Sequence, residues 1–114
     1  MLVIREEQMR RLQQDQMQRF EEEIAAHLAR RFARNPVVAD AGQLRSLIHD
    51  GVQIAFSYGV VNRSDLRRFL EFRAEYGADF HTLPWTAKIL NDPALSGSGK
   101  IEQIDDYSLF VLRS

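Results

Sequence analysis

Residues 17–32 read MQRFEEEIAAHLARRF, and the reading of this stretch decides the fold. Phe20, Ile24, Leu28 and Phe32 follow one another at steps of four, with Met17 and Ala25 beside them. That spacing puts them on one face of an α-helix. Neither proline nor glycine interrupts the chain from Arg5 to Arg34, so one helix is predicted over about 5–34. Upstream, Met9 and Leu12 continue the apolar pattern, but Gln13, Gln14, Asp15, Gln16 and Gln18 dilute it. The half from Met17 to Phe32 is therefore expected to be core. The half from Arg5 to Gln16 is expected to project into solvent or to lie on a partner. Glu21, Glu22 and Glu23 can pair with basic residues one turn away, such as Arg19 and Arg30. Arg30, Arg31 and Arg34 stand in the last turns, where cations favour the helix dipole.

Working outward, residues 1–4 are apolar and read as a short extended lead-in. Asn35-Pro36 ends the long helix, because proline disfavours helix in the residue before it and offers no donor. Val37 to Asp40 read as loop. A second helix is predicted over about 41–58, carrying Leu44, Leu47, Ile48, Val52, Ala55 and Phe56, with Gly59 as a left-handed cap. Gly51 falls on that apolar face, where it lets a neighbouring helix approach closely. Asn62 is a good N-cap, and Asp65 favours the first turn of a third helix over about 62–76. That helix holds Leu66, Phe69, Leu70, Phe72 and Tyr76. Tyr76-Gly77 reads as the same ending as Tyr58-Gly59. Residues 78–82 are read as loop, Pro84 opens a fourth helix over about 84–91, and Ser96-Gly97-Ser98-Gly99 is the most flexible stretch. Residues 100–114 fit either a helix, predicted over about 98–113, or a strand; helix is favoured because a lone strand has nothing to pair with. The fold class expected is all-α, a small bundle of about five helices in one domain.

The chain has 114 residues, long enough for one domain with a real core, and 45% are apolar. Its formal net charge is −1, with acids and bases mixed in both halves. That argues against non-specific nucleic-acid binding. Of the bases, only Lys88 and Lys100 are lysine. A GC-rich coding sequence accounts for such a bias; so does an arginine-bearing surface that pairs with carboxylates of a partner. There is no cysteine, which removes disulfides and thiolate chemistry and fits a reducing cytoplasm. The opening carries no signal-peptide-like run, and no apolar stretch reaches membrane-spanning length. A soluble cytoplasmic protein is expected.

Little in the sequence points to catalysis. Ser96-Gly97-Ser98-Gly99-Lys100 lacks the spacing of a phosphate-binding loop. His27, His49 and His81 are too far apart to form a helical metal pair, and neither a metal nor a cofactor is expected. The most enzyme-like cluster is Asp79-Phe80-His81-Thr82 beside Pro84-Trp85, and its competing reading is structural, with Phe80 and Trp85 plugging the core. Glu21-Glu22-Glu23 and Asp105-Asp106 read as solvated faces. Arg67-Arg68 and Arg73, with Arg10-Arg11, are the basic groups a nucleic-acid binder would use, but acids accompany each.

Several segments together resemble a family of small uncharacterised bacterial proteins associated with type VI secretion effectors and their accessories. They are Val3-Ile4-Arg5-Glu6-Glu7-Gln8-Met9, Ile24-Ala25-Ala26-His27-Leu28, Leu44-Arg45-Ser46-Leu47-Ile48, Tyr58-Gly59-Val60, and Tyr76-Gly77-Ala78-Asp79-Phe80 with Pro84-Trp85-Thr86-Ala87-Lys88-Ile89-Leu90. The resemblance implies an adaptor, chaperone or immunity role, and no catalytic residues come with it. The function expected is a non-catalytic protein-binding accessory of an effector or toxin, with a homodimer as the nearest variant. Arg5, Met9, Leu12, Gln13 and Gln16 are the candidate partner-binding residues, because long amphipathic helices bury their surplus on a partner. The alternatives are a small hydrolase or transferase centred on Asp79 and His81, and a nucleic-acid-binding regulator using the third helix.

Overall fold

The computed structural model describes residues 2–112, with side chains from Gln14 onward. It is all-α, with no strand among the described residues. Helix α1 spans Leu2–Arg31, α2 Pro36–Ala39, α3 Ala41–Ser57, α4 Arg63–Tyr76, α5 Pro84–Leu90 and α6 Gly97–Tyr107. A 3-10 turn, Phe80–Thr82, precedes α5, and a π-helical turn, Ser108–Leu112, continues α6. Helix is thus what residues 100–112 adopt, while Arg113 and Ser114 lie outside the described residues.

Four local expectations are corrected. The lead-in is helical, since α1 begins at Leu2 rather than after an extended segment. The loop after Asn35 holds a one-turn helix. Asn35 accepts the Val37 N–H at 2.9 Å, Pro36 supplies a preset first position, and Val38 is buried. The same Asn35 amide donates to the Ala74 carbonyl at 2.8 Å, tying the loop to the end of α4. The two tyrosine–glycine endings also differ. Gly59 has φ 79°, and the Val60 and Gly59 N–H groups return to the Ala55 and Phe56 carbonyls, which is a Schellman cap. Gly77 is itself the cap, at φ 103° and ψ 166°, outside the left-handed helical well. Finally, the stretch expected to be most flexible is held. Ser96 accepts the Gly99 N–H at 3.0 Å and starts α6.

The core forms where three helices meet. Phe20, Ile24 and Leu28 of α1 bury against Leu44, Leu47, Ile48, Val52 and Ala55 of α3 and Leu66, Phe69, Leu70 and Phe72 of α4. Met17, Ala25 and Phe32 lie half-buried at its edge. Gly51 permits the close α3–α4 approach: a Cβ there would come within 2.6 Å of Leu70 Cδ2 and 2.8 Å of Arg73 Cδ. On the far side of α4, Phe80 and Ile104 complete the core, and Trp85 stacks on Tyr107 at 4.6 Å between centroids. The radius of gyration is 15.3 Å and the longest dimension 56 Å. A globule of this length would have a radius of gyration of about 13 Å, and a 30-residue helix alone measures about 45 Å. The excess lies along α1.

Gly97 carries a sharp packing constraint. A Cβ at this position would sit 2.0 Å from the Gly59 carbonyl oxygen and 3.1 Å from Val60 Cα. Backbone cannot swing away as a side chain can, so Gly97→Ala is expected to cost about 1–3 kcal/mol in urea denaturation. Gly42→Ala is the control. Its Cβ meets only Asp40 Oδ1, at 3.4 Å, and helical alanine there should stabilise by about 0.5–1 kcal/mol. Equal effects at the two positions would contradict the packing.

Candidate functional site

Two open hollows adjoin along α1. The larger, about 760 Å³, is lined by Met17, Phe20, Phe56, Val61 and Leu66, with Gln14, Gln16, Arg19, Glu23 and Arg63 at its edge. The smaller, about 400 Å³, is lined by Phe20, Glu23, Ile24, His27, Arg30, Arg63, Ser64 and Arg67. Phe20, Glu23 and Arg63 belong to both, so the two form one channel between α1 and the start of α4. Phe56 in the last turn of α3 is 38% exposed, and Val61 in the short connection from α3 to α4 is 65% exposed. Arg63 bridges the channel: its guanidinium lies over the Phe20 ring at 5.7 Å and donates to Glu23 Oε2 at 3.0 Å.

Behind the channel wall lies an ionic network. Glu71 of α4 is 5% exposed and accepts from His27 Nε2 at 3.0 Å and from Arg31 Nη1, both on α1. Arg68 Nη1 stands 3.6 Å from the second carboxylate oxygen, and its Nε donates to Asp105 of α6 at 2.9 Å. Burial pushes the Glu71 carboxyl up, but the His27 hydrogen bond and the Arg31 and Arg68 charges outweigh it and hold it below the ordinary glutamate range. Glu71 thus ties α1 to α4, and Arg68 carries the network on to Asp105 of α6. Arg73 is also buried, and it clamps the α4 end by donating to the Leu47 carbonyl at 3.1 Å and the Ala78 carbonyl at 2.7 Å.

Of the candidate partner-binding residues, Gln16 is exposed at the mouth of the channel. The side chains of Arg5, Met9, Leu12 and Gln13 lie outside the described residues. Of the arginines a nucleic-acid binder would present, Arg73 is committed to carbonyls and Arg68 to Asp105 and Glu71, and the side chains of Arg10 and Arg11 lie outside the described residues. Arg67 remains exposed, 3.4 Å from the ring nitrogens of His27. At the Asp79–His81 turn, Phe80 is fully buried, Thr82 Oγ1 donates to the Asp79 carbonyl at 2.7 Å, and His81 Nδ1 is buried with no hydrogen-bond partner. Lys100 of the phosphate-loop-like stretch donates to the Tyr58 carbonyl at 3.0 Å. Among the described residues no group of acids and histidines is arranged to hold a metal, and no helix is long and apolar enough to cross a membrane.

Sequence reasoning did not find Glu71, nor the convergence of Arg30, Arg63 and Arg67. The available signal was an acid inside the apolar run Phe69-Leu70-Glu71-Phe72. A second apolar surface is formed by the C-terminal turn, where Leu109, Phe110, Val111 and Leu112 are exposed beside a hollow lined by Trp85, Ile89 and Tyr107. Comparison of the chain with protein-family models, with curated proteins and with solved structures gave no match.

Proposed function

We propose that the chain is a non-catalytic protein-binding accessory, of adaptor, chaperone or immunity type, serving a bacterial secretion-system effector or toxin in the cytoplasm. The observation behind this reading is the apolar hollow beside the middle of the long α1, with Phe56 and Val61 exposed on its floor. Contiguous exposed apolar surface rimmed by polar side chains is characteristic of a protein-binding face. Its position on α1 makes Arg5 to Gln16 the neighbouring stretch a partner would also engage. The type VI association comes from the resemblance alone.

The test is affinity capture of the tagged full chain from its native host, with mass spectrometry and hydrogen exchange on the recovered complex. An effector or toxin should co-purify at a fixed stoichiometry, and the amides of residues 2–16 should gain protection. A capture indistinguishable from the untagged control, with those amides unchanged, would overturn the reading.

A further inference from the structure

We propose that the channel between α1 and the start of α4 receives an acidic amphipathic helix of the partner protein. Its apolar face would rest on Met17, Phe20, Phe56, Val61 and Leu66, and its carboxylates would meet Arg30 and Arg67. This rests on the protein-binding reading above and adds the chemistry of what is bound.

Three observations select that occupant. The first is charge. Glu23, the acid of the channel, is already held by Arg63 at 3.0 Å. Arg30 and Arg67 have no carboxylate partner among the described residues. A basic segment would bring cations against two guanidiniums that lack a carboxylate, whereas an acidic one supplies it. The second is the division of the surface. The larger hollow is floored by Met17, Phe20, Phe56, Val61 and Leu66, whereas Arg30 and Arg67 line only the smaller, and the two share Phe20, Glu23 and Arg63. A ligand filling both needs an apolar stripe with acids toward one end, which an amphipathic helix carries at i, i+3, i+4 and i+7. The third is the backbone. Apart from Val61 in the α3–α4 connection, the residues lining the channel lie on helices and none on a strand, so an extended segment would find no sheet edge to join. From Gln14 to Arg30 the channel follows α1 for about 24 Å, matching a partner helix of about 16 residues.

The experiment uses the full chain with two synthetic 16-residue helical peptides. Both carry leucines at the stated spacing; one has glutamates beside that stripe toward one end and the other lysines at the same positions. Binding is followed by fluorescence anisotropy, and its location by amide chemical shifts. The glutamate peptide should shift residues 14–30 and 61–67, and Arg30→Glu/Arg67→Glu should weaken it by about tenfold or more. The lysine peptide should favour the double variant instead. Both arginines are exposed, so the variant should keep its melting temperature; Arg30→Glu alone is the fallback if it does not. No binding, equal binding of the two peptides, or shifts elsewhere would overturn the proposal. Repeating the host capture with the double variant separates the two claims. A partner retained despite charge reversal sinks the channel and spares the accessory reading, while no partner for the wild-type chain sinks the accessory reading itself. If light scattering shows a wild-type dimer that the double variant splits, the occupant is a second copy and the proposal is wrong.

Discussion

Phe80→Ala is expected to lower the unfolding free energy by about 3–5 kcal/mol, and His81→Ala, one position on, by less than about 1 kcal/mol. Phe80 is fully buried though it belongs to a three-residue turn. Its ring meets Phe69 edge-on at 5.0 Å and Phe72 at 5.9 Å, and these three are the largest fully buried side chains. Removing it opens a cavity bounded by α4 on one side and α5 on the other, and two separate helices cannot both relax inward. His81 has a buried Nδ1 with no hydrogen-bond partner, so its loss removes an unsatisfied polar atom and offsets the lost packing. Thermal denaturation should show Phe80→Ala melting on the order of 10–20 °C lower, with His81→Ala near wild type. Comparable losses at both positions would contradict this account of the turn. An enzymatic activity lost in His81→Ala at unchanged stability would restore the catalytic alternative.

That turn shows where sequence reading works and where it stops. Helix positions are legible because their causes are local. Asn62 with Asp65, Pro84, and the Phe20–Ile24–Leu28 spacing each act within a turn or two, and all lie where expected. The short helix after Asn35 was hidden because the asparagine that caps it also precedes a proline, which reads as a breaker when its neighbours' burial is unknown. Glu71 was hidden for a different reason. Its partners His27 and Arg31 are 44 and 40 positions away, and no local spacing encodes such a meeting. The channel is similar. Arg30 reads as a dipole-favouring cation and Arg67 as half of a basic pair, and only the antechamber formed by α1 crossing α4 puts them around one space. The exposed Val61 was visible as a linker valine, but exposure is a tertiary property.

Glu71→Gln should cost about 2–3 kcal/mol at pH 7, and that cost should vanish in acid. The substitution keeps the shape and one acceptor oxygen but removes the charge that Arg31 and Arg68 face. Breaking a fully buried ion pair costs about 3–5 kcal/mol. The lower figure applies because Arg31 is nearly half exposed and Arg68 keeps Asp105, so both cations recover part of their solvation. A carboxylate only accepts hydrogen bonds, so the His27 nitrogen facing it carries the proton; the glutamine oxygen can keep that bond but not the charge. The pH dependence follows from the direction of the shift. Because the folded carboxyl lies below its unfolded value, its contribution is full above the unfolded value of about 4.3. It falls as the pH drops through the folded value, where both states become protonated. Urea denaturation of the two proteins from pH 7 to pH 2 should therefore give stability curves that converge at the acid end, with the glutamine variant lacking part of the wild-type slope. A gap that stays constant over that range would mean that Glu71 acts by shape alone, and that the joining of α1 to α4 does not depend on its charge.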